Sequence, residues 1–400
     1  MATLVTVLIS LIPAVFPAFV QRSLGEFDDQ IGISPFETGI WTFPLLTTGS
    51  IILVLGVLYK KKLLPNIIKK SIDFIFKFEV SSKVAFFVIT ILIGFYILFS
   101  VNELLEGTYQ PDYYVRVKSW IDNYSVTEVG NWGLGYHVMI FFIKSSVQIF
   151  GNDKVVPFIA SIALLVLTYL ITLEIAKKRF AGIVAMVIVL QSGIFLIYDT
   201  SVAYPNFWIL FYLLSLYLIF KRISLSPIFY LASILSKMMT VAFLPMTLFF
   251  IYRTNLPKKK KIQIIVYYGI VLISFLGFLF VTGTNLFLTE FEKETTPQLE
   301  PDKVNREFWI GFTALYSSFR FDGLVLLFLL PCTIGLFFVS RNGVPHSDSI
   351  MFLIMSMLLS APFVAGFSDS INVPYRFLPL VVFFAMGVGV LLSKRVKVGS

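Results

Sequence analysis

The sequence predicts an all-α, polytopic membrane protein of about 11–12 transmembrane helices, with further helices lying along its outer face. Three observations carry this. Of the 400 residues, 57% are hydrophobic and only 14% are charged, whereas a soluble domain has about a quarter of its residues charged. The apolar residues come in blocks of about 17 to 21, the length at which a helix crosses the hydrocarbon core of a bilayer. Lysine and arginine, finally, sort between alternate loops.

The elements follow from the apolar runs. Spans are expected at 3–20, 40–59, 84–101, 156–176, 180–198 and 203–220. Two short halves at 226–236 and 239–252 come next, then 262–282, 323–339, 349–365 and 377–393. The first run has no basic stretch before it, contains Pro13 and Pro17, and is soon followed by a second run. It therefore reads as one arm of a helical hairpin and not as a cleaved signal peptide. Residues 1–83 form one unit, this hairpin plus a basic amphipathic linker at 60–83. Residues 84–400 form the main transmembrane domain, with outer loops 102–155, 283–322 and 366–376.

Charge fixes the expected orientation, because basic residues collect in cytoplasmic loops. With the N-terminus inside, the clusters Lys60–Lys83, Lys177–Arg179, Lys221 with Arg222, Arg253–Lys261, Arg341 and Lys394–Lys397 all fall in the cytoplasm. They hold 21 of the 32 basic residues and face four acids (Asp73, Glu79, Glu174, Asp348), so the inner side carries +17 and the outer side −8. The net +9 is thus a topology signal, and it excludes the nucleic-acid partner that a basic chain would otherwise suggest. The expectation is a multi-pass cell-membrane protein with both termini cytoplasmic.

In the outer loops, Tyr113, Val117, Trp120 and Ile121 share one helical face, so 112–123 is expected to lie flat in the interface. The apolar stretch 136–150 is short, and crossing there would turn Lys177–Arg179 outward, so it is placed as a juxtamembrane helix. Phe308, Trp309, Phe312 and Phe319 suggest another interfacial helix, since aromatics favour that depth. Half-immersed helices on the outer face suit a lipid-borne substrate and make membrane lipids partners. One cysteine, Cys332, and two histidines, His137 and His346, do not indicate a metal centre or a disulfide framework, and no cofactor is called for. There is no Gly-rich phosphate loop, HExxH pattern, serine-nucleophile motif or Walker motif.

Several stretches, in order, carry a family resemblance. QPDYYV places an aspartate early in the loop after the 84–101 span. GYHVMIFFIKSSVQIFG is a juxtamembrane stretch ending in Phe–Gly, and LEIAKKRFAG closes a span on a basic cluster. SKMMTVAFLP joins two short helices at a lysine, and PYRFLPLVVFF enters the last span through an aromatic–arginine pair. In this arrangement, over about 84–393, the chain resembles the GT-C superfamily of polyprenyl-phosphate-sugar-dependent glycosyltransferases. Within it, the chain looks most like the protein O-mannosyltransferases and the lipid A aminoarabinose transferases. The sequence departs from that pattern in lacking paired prolines at GYHVMI and in having Asn206 where an aspartate is common. The hairpin and the linker have no counterpart there.

The resemblance implies a GT-C-like fold, a polyprenyl-phosphate-linked sugar as donor, a protein or lipid acceptor on the extracytoplasmic face, and inversion at the anomeric carbon. It makes Asp112 the base near the acceptor hydroxyl; read alone, Asp112 is an N-cap of the following helix. Arg376, beside Tyr375, would make bidentate contact with phosphate, or else anchor at the headgroups. Lys237 sits in an apolar region where a charge is costly unless it faces a partner or a cavity; it would neutralise the leaving phosphate, or snorkel from a helix end. Arg320 is a weaker phosphate candidate, and His137 and Tyr113 are substrate-lining candidates whose plainer roles are interfacial. Asp199, at a helix end, is a candidate substitute for the missing second acid, while Glu103 and Glu106 read as solvated loop acids. Two other functions compete with glycosyl transfer: a transporter or flippase of a lipid-linked or anionic substrate, and a non-catalytic GT-C-like subunit of a membrane complex.

Overall fold

The computed structural model describes residues 1–17, 36–105, 136–281, 311, 312, 315, 319, 322–344, 346–365 and 374–393. Among them there are helices and no strand. In chain order these are α1 (Ala2–Val15), α2 (Thr42–Lys60), α3 (Asn66–Lys77), α4 (Ser82–Leu105), α5 (His137–Phe150), α6 (Val155–Ala176), α7 (Arg179–Leu190) and α8 (Gly193–Tyr198). They continue as α9 (Phe207–Lys221), α10 (Ser226–Ser236), α11 (Leu244–Arg253), α12 (Lys258–Val281), α13 (Gly323–Arg341), α14 (Ser347–Ala365) and α15 (Leu378–Leu391). Six stretches, Thr42–Tyr59, Ser82–Leu105, Val155–Ala176, Lys258–Val281, Gly323–Arg341 and Pro374–Leu391, are long and apolar enough to cross a membrane, the mark of a polytopic membrane protein. The other apolar helices are shorter, so among the described residues length and composition support six spans, where the apolar runs of the whole chain suggested 11–12.

The core is built around α15. It is apolar on every side, and a helix of that kind belongs inside a bundle; all of Leu378–Gly387 is buried. It packs on α6, α7, α13 and α14. Gly389 allows the close approach, since a Cβ there would meet Thr172 and the backbone of Ala181. Small residues at such contacts let helices pack where lipid supplies no hydrophobic driving force. At the periphery the pattern reverses. Phe86, Phe87, Leu98 and Phe99 of α4 and Ile273 and Phe280 of α12 are exposed, an apolar surface suited to hydrocarbon and poorly suited to water.

The bundle has two distinct ends. At one, Glu174 pairs with Lys177 (2.6 Å) and Lys221 (2.9 Å), and Arg253 pairs with Asp348 (2.5 Å). Buried Lys178 donates there to the carbonyls of Ile75 (3.1 Å) and Phe76 (2.9 Å), tying the last turn of α3 to the bundle. The opposite end gathers the C-terminus of α4, the start of α6, the segment after α8, the break between α10 and α11, and the start of α15. Lys154 Nζ donates to the Glu103 carbonyl (2.7 Å) and Asn152 Nδ2 to that of Leu104 (2.8 Å), which fixes α4 against α6.

Several expectations need correction. The run 180–198 is not one helix but α7 and α8, broken at Gln191–Ser192. Ser192 caps α8 by accepting from Phe195 N, and Asp322 accepts from Ser192 Oγ (2.7 Å), Gly193 N (3.2 Å) and Ile194 N (3.3 Å). The helix restarts because two side chains satisfy its first N–H groups. Phe312 and Phe319, expected at an interface, are buried, and Phe319 meets the Phe377 ring edge-on at 6.3 Å. An apolar ring gains more from the core than from a half-wet surface. The expected interfacial helix 112–123 lies outside the described residues.

Candidate functional site

Lys237 owes its position to a helix break. Its backbone is extended (φ −160, ψ 112), between α10 and a 3-10 turn over Met238–Phe243. Lys237 N bonds back to Ser233 O (2.9 Å), and Thr240 N bonds to Lys237 O (3.0 Å). Tyr230 Oη holds the turn from beneath by donating to Thr240 O (2.9 Å). The chain thus rises along α10, turns at Lys237 and descends through α11, leaving the lysine at the end of the bundle opposite the Glu174 and Arg253 ion pairs.

Tyr375 and Arg376 reach the same place by another route. A 3-10 turn over Pro374–Phe377 leads into α15, with Pro379 in its first turn, where a missing N–H costs nothing. Tyr375 is 5% exposed. Its hydroxyl accepts from Lys237 Nζ (2.5 Å) and from Arg376 Nε (3.5 Å). Lys237 Nζ also lies 4.5 Å from the centroid of the Tyr375 ring, within cation–π range. Two cations therefore converge on one phenol. Among the described residues no carboxylate lies within ion-pair distance of Lys237.

An aromatic wall completes the cluster. Tyr204 stacks on Tyr375 at 4.1 Å, and Tyr198 meets Tyr375 at 5.9 Å and Tyr204 at 6.0 Å, both edge-on. The segment 199–206 between α8 and α9 sets this wall. Asn206 Nδ2 donates to Ser161 Oγ (2.9 Å) and to the Tyr198 carbonyl (3.5 Å), and Ser161 Oγ donates to the Asp199 carbonyl (2.8 Å). Asn206, which departs from the expected aspartate, thus acts on the backbone that carries Tyr198 and Asp199.

Asp199 itself is 1% exposed. Its Oδ2 accepts from Tyr96 Oη (2.7 Å) and Ser100 Oγ (3.3 Å) of α4. Its Oδ1 is buried with no hydrogen-bond partner among the described residues. Burial pushes the carboxyl up to about 6; the bonds from Tyr96 and Ser100 oppose that rise, and the nearby Glu103 carboxylate adds to it. Glu103 is itself exposed, and Thr200 Oγ1 reaches its carboxylate at 3.5 Å.

Of the residues singled out from the sequence, the fold brings Lys237, Tyr375 and Arg376 together. Asp112, Tyr113 and Arg320 lie outside the described residues, as does Glu106. His137 is buried in the first turn of α5, the helix whose Met139, Ile140 and Ile143 pack with Val202, Ala203 and Phe207. Sequence reasoning did not anticipate the parts played by Tyr198, Tyr204 and Asp322. Only the polar run Asp199–Thr200–Ser201 between two apolar runs marked that segment as more than a plain turn.

Fold and site together define a helical, membrane-type bundle with a paired-cation, tyrosine-walled cluster at one end. The chain matches no protein-family model, no curated protein and no solved structure.

Proposed function

We propose that this protein is an integral-membrane glycosyltransferase of GT-C type. It moves a sugar from a polyprenyl monophosphate carrier to a protein or lipid acceptor on the extracytoplasmic face. In this reading the chain crosses the membrane 11 or 12 times, the shorter helices pairing in succession to complete crossings, with both termini in the cytoplasm. The reading is supported chiefly by the convergence of Lys237 and Arg376 on Tyr375 at the end of the bundle away from the basic clusters. Lys237, with no carboxylate in ion-pair distance among the described residues, suits an anionic ligand, and arginine and lysine differ usefully there: one offers a planar fork, the other a compact point charge.

The chemistry is a single displacement. The acceptor hydroxyl oxygen attacks the anomeric carbon, and Asp112 takes its proton. The bond between that carbon and the phosphate oxygen breaks, and the electron pair leaves with the polyprenyl phosphate. The phosphate gains a negative charge as it leaves, and Lys237 and Arg376 meet that charge where it develops. One in-line attack inverts the anomeric centre.

A transporter reading is favoured by one observation: α7–α8 and α10–α11 are broken helices, the second carrying a lysine at its break. Purified protein in vesicles, given labelled polyprenyl-phosphate sugar and an added acceptor, separates these readings. Label on the acceptor is the expected result. Label crossing the bilayer without product means a transporter, and neither means a non-catalytic subunit.

A further inference from the structure

We propose that the free oxygen of Asp199 is the acceptor for a hydroxyl of the transferred sugar, and so tells the sugar-bearing donor from the bare lipid phosphate that remains after transfer. This rests on the glycosyltransferase reading and adds to it the residue that recognises the sugar.

The observation is an unfilled acceptor. Asp199 is 1% exposed, its Oδ2 is taken by Tyr96 and Ser100, its carbonyl is taken by Ser161, and Oδ1 has no partner among the described residues. No cation among those residues lies within ion-pair distance of it. Buried polar atoms are nearly always paired, because leaving one unpaired costs about 1–3 kcal/mol and more for a charged group. Ionisable groups within a membrane protein are retained where they serve a ligand or a path. Oδ1 is therefore an acceptor whose donor comes from outside this part of the chain.

Position says what that donor is. Asp199 directly follows Tyr198, whose ring lies against Tyr375 in the cation cluster. On its other side it is bonded to the last turns of α4. A donor whose phosphate sits at Lys237 carries its sugar directly on that phosphate, beside the tyrosine wall from which Asp199 follows. A sugar hydroxyl is neutral and donates a hydrogen bond, so it fills Oδ1. A bare phosphate has no hydroxyl ring to offer, and its charge is repelled by the carboxylate.

The experiment measures binding of a polyprenyl phosphate, with and without its sugar, to the full chain in nanodiscs by competition against labelled lipid. Wild type is expected to prefer the sugar-bearing lipid by about tenfold or more, the size of one hydrogen bond to a charged group. In Asp199→Asn this preference should fall to within about threefold, through weaker binding of the sugar-bearing lipid with no weakening of the bare phosphate. Tyr96→Phe, which leaves Oδ1 in place, should keep the preference. An unchanged preference in Asp199→Asn, equal loss of both lipids, or loss of the preference in Tyr96→Phe each overturns the assignment of Oδ1. Lys237→Met reports on the underlying reading separately. It should weaken both lipids, and undiminished binding of the bare phosphate there removes the phosphate site while leaving the Asp199 ratio to be read on its own.

Discussion

Lys237 Nζ donates a hydrogen bond to Tyr375 Oη although 138 residues separate the two in the chain. One sits at a break between two short helices, the other at the start of the most buried helix of the bundle. A lysine in such surroundings needs a partner, and a tyrosine offers it both a hydroxyl and a ring face. Because that partner is a phenol and not a carboxylate, the positive charge stays available to an anion.

Tyr375→Phe should keep the ring contact and remove the hydroxyl. Hydrogen bonds to charged groups are worth about 1.5–3 kcal/mol, so a misplaced Lys237 is expected to weaken polyprenyl-phosphate binding by about tenfold or more. Equilibrium binding in nanodiscs checks this. Affinity within about twofold of wild type would show that the hydroxyl does not position the lysine.

Asp112→Asn should abolish transfer while the protein still inserts and folds, since the amide cannot take the acceptor proton. The check is turnover in the vesicle assay, alongside the thermal midpoint and expression level. Undiminished turnover refutes the assignment of Asp112 as base.

The Asp199 carboxyl, raised by burial to about 6, predicts a pH dependence of stability. Between about pH 4 and 6 the folded protein holds this proton more tightly than the unfolded chain. Stability therefore falls as pH rises through that window, by on the order of 3 kcal/mol for this group alone. Asp199→Asn has no proton to lose there, so wild type should lose thermal stability relative to the variant between pH 4 and 7. A difference between their melting temperatures that stays flat across that range would exclude the effect.

Lys178 predicts a structural coupling at the opposite end. It is 1% exposed, it holds the carbonyls of Ile75 and Phe76, and it lies 5.4 Å from the Phe180 ring centroid. Lys178→Met should keep the packing and lose the charge-assisted bonds. Faster amide exchange confined to 66–78, with the Lys237 cluster unaffected, is the expected outcome. Uniform protection in the variant would mean that α3 is held by its other contacts.

Much of the fold was legible in the chain. Apolar runs at 226–236 and 323–339 foresaw α10 and α13 to within two residues, because continuous apolar composition leaves a chain in lipid no option but a helix. Breaks were less legible. The α7–α8 discontinuity depends on Asp322, 130 residues from Ser192, and no local pattern encodes so distant a cap. Burial of Phe312 and Phe319 was equally hidden, since an aromatic cluster beside a polar loop looks the same whether it faces headgroups or core.

The site divides in the same way. Composition and charge order by themselves determined that this is a helical, membrane-type chain, and the cost of a cation among apolar residues singled out Lys237. The sequence also nominated Arg376 and Tyr375 from their place at the start of the last helix. Only the tertiary structure decided that the three meet on one phenol, that Tyr198 and Tyr204 wall them, and that Asn206 secures the segment bearing both tyrosines. It alone revealed that Asp199 keeps an oxygen unfilled among the described residues. Periodicity and charge are properties of neighbours along the chain, whereas a hydrogen bond between helices depends on how those helices pack.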